Sequence, residues 1–134
     1  MTLAPLIAST MTIKVHVAAA LVVIVLTPLQ FFGFRKGSPA HRAIGYGWML
    51  AMVGVALSSF FITSHFALNF AGFGLIHLFS IVSLITLAYA FFAARLHRVR
   101  AHRTALFFLT IGFFVAGAFT FLPSRIIGQV LFGS

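Results

Sequence analysis

Apolar positions along the chain fall into four long, nearly unbroken blocks, roughly 12–32, 43–64, 73–94 and 104–123, with short polar or glycine-containing joints between them. Each block is near the ~20 apolar residues that an α-helix needs to cross the hydrocarbon core of a bilayer. Strands of a membrane β-barrel would instead read as segments of about ten residues alternating in polarity. The pattern therefore predicts an all-α integral membrane protein, a single domain over 1–134 with four spanning helices. Gly37-Ser38-Pro39 punctuates the first joint, Asn69 and Gly72 the second, and a basic cluster the third. Joints this short place consecutive helices antiparallel, which predicts an up-down four-helix transmembrane bundle.

Smaller features within the blocks read as packing. Pro28 lies late in the first helix and Pro123 ends the fourth, where the lost backbone hydrogen bonds are least costly. Ala43, Gly47, Ala51, Gly54 and Ser58 form a small-residue stripe at helical spacing on the second helix, and Gly112, Ala116 and Thr120 do the same on the fourth. Such stripes let backbones approach closely. No positive segment precedes the first block and no small-residue cleavage pattern follows "FFGFRKG", so it reads as a retained helix rather than a signal peptide.

Composition narrows the chemistry. The sequence is 62% hydrophobic and 7% charged, with nine Lys and Arg, six His, no Asp or Glu and no Cys. Without those residues there is no Ser-His-Asp triad, carboxylate pair, thiolate or disulfide, and no structural zinc site. The cations also sort by joint. Arg35, Lys36 and Arg42 flank the first, Arg95, Arg98, Arg100 and Arg103 flank the third, and Lys14 and Arg125 lie towards the opposite surface. By the positive-inside rule the first and third joints are cytoplasmic and both termini are periplasmic, in a bacterial inner (plasma) membrane. The net charge of +9 is better matched to the anionic lipids of the inner leaflet than to nucleic acid, because it is confined to joints beside a bilayer.

Sliding the sequence on itself by about 60 positions aligns Ala40-His41-Arg42 with Ala101-His102-Arg103, His16 with His77, Phe31-Phe32 with Phe91-Phe92 and Arg35 with Arg95. The alignment predicts a tandem repeat of a two-helix hairpin, with halves related by a two-fold axis along the membrane normal. Equivalent helices then face each other, bringing His41 towards His102 at one end and His16 towards His77 at the other. Facing imidazoles are what bis-histidine ligation of a b-type haem iron requires. His16, His41, His77 and His102 are the candidate ligands, and a quinone is the other redox cofactor such a site can take. Arg42, Arg103 and Arg125 are candidates to hold its acidic or carbonyl groups.

Two other readings stand beside that one. The His-Arg pairs can anchor helix ends at the headgroups, as basic interfacial residues do, and His65 and His97 in the joints fit that role. The chain can also be a non-catalytic accessory subunit whose cations meet the acidic surfaces of a larger membrane complex. No motif decides whether it is an enzyme.

The segments "HRAIGYGWMLAM", "IHLFSIVSL", "AHRTALFF" and "PSRI" resemble the bacterial membrane protein family DUF2306, a domain of unknown function, from about Pro39 to Ile126. The family's His-Arg-x-x-Gly matches His41, Arg42 and Gly45, and the His of its third helix matches His77. The His-Arg of its fourth matches His102 and Arg103, and its closing Arg matches Arg125. Thr104-Ala105 stands where the family often has Trp-Met. The resemblance implies a four-span layout and brings no activity with it. A looser likeness in layout is to four-helix b-type cytochromes.

Overall fold

The computed structural model describes residues 2–62, 74–122 and 125–133, and all regular structure among them is helical. The order is α1 (Ala4–Ile7), α2 (Met11–Pro28) continued by a π-helical turn (Leu29–Gly33), α3 (Pro39–Ser59), α4 (Leu75–Arg95), α5 (Val99–Ala118) continued by a 3-10 turn (Phe119–Phe121), and α6 (Ile126–Phe132). Most of the middle joint, with His65, Asn69 and Gly72, and Pro123 lie outside the described residues.

The helices begin and end where local chemistry dictates, not where the apolar blocks do. α3 starts at Pro39, several residues ahead of its block, because the Ser38 side chain caps it by accepting from His41 N–H and proline at the first position gives up no bond. Thr10 caps α2 in the same way, accepting from Ile13 N–H. Likewise α5 starts at Val99, ahead of its block at Thr104, because α4 ends in a tight reversal. His97 takes the left-handed conformation there (φ 57°), its N–H donates to Ala94 O at 3.1 Å, and the Arg98 N–H donates to Ala93 O at 2.8 Å. That is a Schellman ending with histidine in the place usually held by glycine.

Among the described residues three helical stretches are long and apolar enough to cross a membrane: Met11–Gly33, Leu75–Arg95 and Val99–Phe121. At 21 residues α3 is as long as α4, but its glycines, Arg42, Tyr46, Trp48 and terminal serines dilute its apolar character. α2 packs on α3, α3 on α4 and α4 on α5. One core cluster draws on all four: Val23 from α2, Trp48 and Met52 from α3, Leu87 and Ala90 from α4, and Ala105, Leu106, Leu109 and Phe113 from α5.

The stripe on α3 faces α2, since a Cβ at Gly47 would lie 3.5 Å from Leu26 and one at Gly54 would lie 3.5 Å from Ala19. On α5, Gly112 lies against the Phe79 ring of α4. The chain's two ends also meet, α1 against α6, with Thr2 N–H donating to Val130 O at 3.0 Å.

Polarity is distributed inside out. Thr27, Gln30, Ser58, Ser59, His77, Ser80 and Ser83 are buried, while Leu21, Val25, Leu50, Ile85, Phe92 and Phe108 are exposed. An outer surface that apolar would aggregate in water. In lipid it is solvated, and Thr27, Gln30, Ser58, Ser59, His77 and Ser80 each make a hydrogen bond within the protein.

Candidate functional site

At the basic end, the π-helical turn after α2 brings Gln30 inward against α3, where it is 6% exposed. The Gln30 Nε2 amide donates to His41 Nε2 at 3.2 Å, which leaves the proton of neutral His41 on Nδ1. That Nδ1 and Gln30 Oε1 are both buried without a hydrogen-bond partner among the described residues. Buried polar atoms of this kind cost free energy and are uncommon, so they mark a place where a further polar atom is needed. The close approach depends on Gly45, where a Cβ would come within 3.0 Å of the Gln30 amide.

From the other hairpin, His102 Nδ1 donates to Ala90 O on α4 at 2.9 Å, which fixes the tautomer and leaves Nε2 as a lone-pair acceptor. Gln30, Phe31, Gly45, Trp48, Met49, His102 and Leu106 line a cavity of ≈ 20 Å³. Trp48 is held beside it by its indole N–H, which donates to Thr27 Oγ1 at 2.9 Å. His41 and His102 lie within electrostatic reach of each other. Lys36 closes the end of the π-helical turn, donating to the carbonyls of Gln30 and Phe31 and lying 5.8 Å from the Phe31 ring centroid. Desolvation at that helix end, with the Arg103 charge adding to it, lowers the Lys36 pKa from its ordinary value. Arg42 and Arg103 themselves are exposed.

At the opposite end, His16 Nδ1 donates to Ser58 Oγ at 2.8 Å, because the Ser58 hydroxyl proton goes to Val55 O. Ser59 hydrogen-bonds Ser80 across the α3–α4 contact, and Ser80 lies one turn from His77. His77 accepts the Gly74 N–H at Nδ1 over 3.0 Å, capping α4, and its ring lies 5.9 Å from that of Phe60. The two histidines thus share a polar seam laid down by α3. Arg125 sits at the N-cap of α6.

The space beside His102 admits about one water molecule, whereas sites for ligands of cofactor size run to ~300 Å³ or more. Ligation through His77 Nε2 would require removing the proton that the Gly74 contact assigns to that nitrogen. Among the described residues no three potential metal ligands cluster.

Gln30, Trp48 and Lys36 are absent from the set expected from sequence. Gln30 had a legible signal, as the one amide inside an otherwise apolar block. Trp48 and Lys36 carried none, since Trp48 is held by Thr27 of α2 and Lys36 by the carbonyls of the π-helical turn.

Buried hydroxyls and imidazoles inside an apolar shell, on helices of membrane-spanning length, define an integral membrane protein. Residues 13–127 match the family model of predicted membrane proteins DUF2306, and the chain belongs to that family. No curated protein and no solved structure matches it.

Proposed function

We propose that this is a four-span inner-membrane protein that binds a quinone headgroup at the basic end, in the service of electron transfer. The observation that carries this reading is the pairing of Gln30, with its unpartnered Oε1, and the lone pair of His102 Nε2 around one water-sized cavity. The oxygen of a quinone alternates between carbonyl and hydroxyl, so it needs neighbours able both to donate and to accept. The Gln30 amide supplies both kinds of atom and His102 accepts. A cavity of ≈ 20 Å³ takes a ring oxygen and leaves the ring at the mouth against Phe31 and Met49. Lys36, Arg42 and Arg103 give that mouth a positive field. A quinone supplies two-electron, two-proton chemistry, and the chain's part is to hold the oxygen, exclude water and place a proton acceptor at His102 Nε2.

Two relationships support the four-span, doubled-hairpin architecture beneath this reading. Adjacent chain ends, tied by Thr2 and Val130, favour an even number of crossings, and counting α3 as a span makes the number even. His41 reaches back to Gln30 and His102 reaches back to Ala90, two partners that are themselves about 60 positions apart and aligned in the internal repeat. His16 and His77 share no such correspondence.

Trp48 is the sole tryptophan and lines the cavity, so its emission reports directly on occupancy. A short-tailed benzoquinone titrated into the detergent-solubilised protein should quench Trp48 saturably. Gln30→Leu and His102→Phe should each weaken the apparent affinity about tenfold, the loss of roughly one hydrogen bond. Quenching that stays linear in quinone, and identical in the variants, would reject the site. A Soret band in the purified protein would reject the choice of quinone over haem.

A further inference from the structure

A second, larger concavity lies on the outer side of the α4–α5 hairpin. It measures ≈ 750 Å³, and its lining includes Thr86 and Tyr89 from α4 and Arg98, Arg100, Thr104 and Phe108 from the reversal and α5. It has none of the cavity residues described above and opens to the surface. We infer that this groove is a specific site for one anionic phospholipid, with its phosphate at Arg98 and Arg100 and an acyl chain along Thr104 and Phe108.

The groove has the shape of an amphiphile. Its cationic end is the turn between α4 and α5, and from there Thr86 and Phe108 each lie nine residues along their helices, about 14 Å deeper. The polar groups at the top are donors. Neither guanidinium has a hydrogen-bond or ion-pair partner among the described residues, and the sequence has no carboxylate side chain to offer one. The first turn of α5, which carries Arg100, has no side-chain cap for its backbone N–H groups. A guanidinium matches a phosphate with two parallel hydrogen bonds. The lower wall is Ala105, Phe108 and the aliphatic faces of Thr86 and Thr104, which suits a hydrocarbon chain and gives a soluble anion nothing to bind. Charge at one end and apolar depth at the other select a lipid over free phosphate.

The test uses native mass spectrometry of the full chain in a mild detergent, titrated separately with phosphatidylglycerol, phosphatidylcholine and inorganic phosphate. One phosphatidylglycerol should bind per chain, and phosphatidylcholine should bind at least several-fold more weakly. Millimolar inorganic phosphate should not displace the lipid. Arg98→Gln and Arg100→Gln should each weaken retention about fivefold, as expected for one interfacial cation. Arg35→Gln, a cation of the other basic joint, should leave retention unchanged. Thr104→Phe, an exposed position, should fill the groove and abolish binding with both charges intact. Equal retention of the two lipids, displacement by phosphate, or a loss in Arg35→Gln matching that in Arg98→Gln would each overturn the assignment.

Discussion

The indole N–H of Trp48 donates to Thr27 Oγ1 across the α2–α3 contact at 2.9 Å, and Thr27 passes its own proton to Val23 O at 2.6 Å. Both residues are buried, Trp48 to 2% exposure. Thr27→Val keeps the volume and removes the acceptor, which strands a buried N–H at a cost of ~1–3 kcal/mol. Thr27→Ser keeps the acceptor and should recover most of that loss. Thermal unfolding in detergent, followed by helical circular dichroism, should rank wild type first, Thr27→Ser next and Thr27→Val last.

The α4–α5 reversal gives a prediction of the opposite sign. His97 is held at φ 57°, a conformation that costs a residue with a Cβ about 1 kcal/mol and costs glycine nothing in steric terms. His97→Gly should therefore raise the unfolding midpoint. Gly37 has φ 81° at the other basic joint, with open space around its Cβ position, so Gly37→Ala should lower the midpoint through backbone strain alone. A drop with His97→Gly would mean that the imidazole makes a contribution larger than the strain.

The helices were legible because membrane-spanning length and apolarity are local properties of a sequence, and the small stripe on α3 marked a face open to close backbone approach. Helix starts were less so, because Ser38-Pro39 and His97 set them through capping geometry that extends past the apolar blocks. The site was half legible. His41 and His102 stood out as rare residues in a repeat, yet what each ring bonds to depends on a π-helical turn at Leu29–Gly33 that no periodicity announces. What His77 bonds to was not legible either, because its Nδ1 accepts the Gly74 N–H at the start of α4, a partner set by where that helix begins.

Two glycines make a contrast that tests the packing. At Gly112 an added methyl would stand 2.9 Å from Phe79 Cζ, the far end of a side chain that can swing. At Gly128 it would stand 2.0 Å from the backbone carbonyl oxygen of Leu122, which cannot move without displacing the turn before α6. Gly112→Ala should cost under ~1 kcal/mol and Gly128→Ala some 1–3 kcal/mol or more. The second should also loosen the α1–α6 contact, read as faster proteolysis near the chain ends.

The polar seam at the end away from the basic joints predicts a coupling. Ser59 and Ser80 bond each other, so one hydroxyl donates across the contact while the other donates within its own helix, Ser59 to Ala56 O at 2.6 Å or Ser80 to Ile76 O at 2.9 Å. Because both hydroxyls have these intrahelical alternatives, the bond across the contact is worth only the average of interhelical hydrogen bonds in membranes, ~0.6 kcal/mol. A double-mutant cycle of Ser59→Ala and Ser80→Ala, measured by steric trapping or chemical unfolding in micelles, should return a coupling of that size. Strict additivity would mean the two helices are held by apolar packing alone.

The crossing of α3 can be decided without knowing any ligand. The sequence has no cysteine, so a single introduced thiol is the sole target of a membrane-impermeant maleimide. Ser38 caps one end of α3, and Phe61, 78% exposed, follows the other. At 21 residues the helix is about 31 Å long, the thickness of a hydrocarbon core. If α3 crosses, with the arginine-rich joints inside, Phe61→Cys should react in intact cells and Ser38→Cys only after permeabilisation. Leu3→Cys, at the paired chain ends, should behave like Phe61→Cys. Equal reactivity of Ser38→Cys and Phe61→Cys would leave α3 on one side of the membrane and would reject the four-span reading.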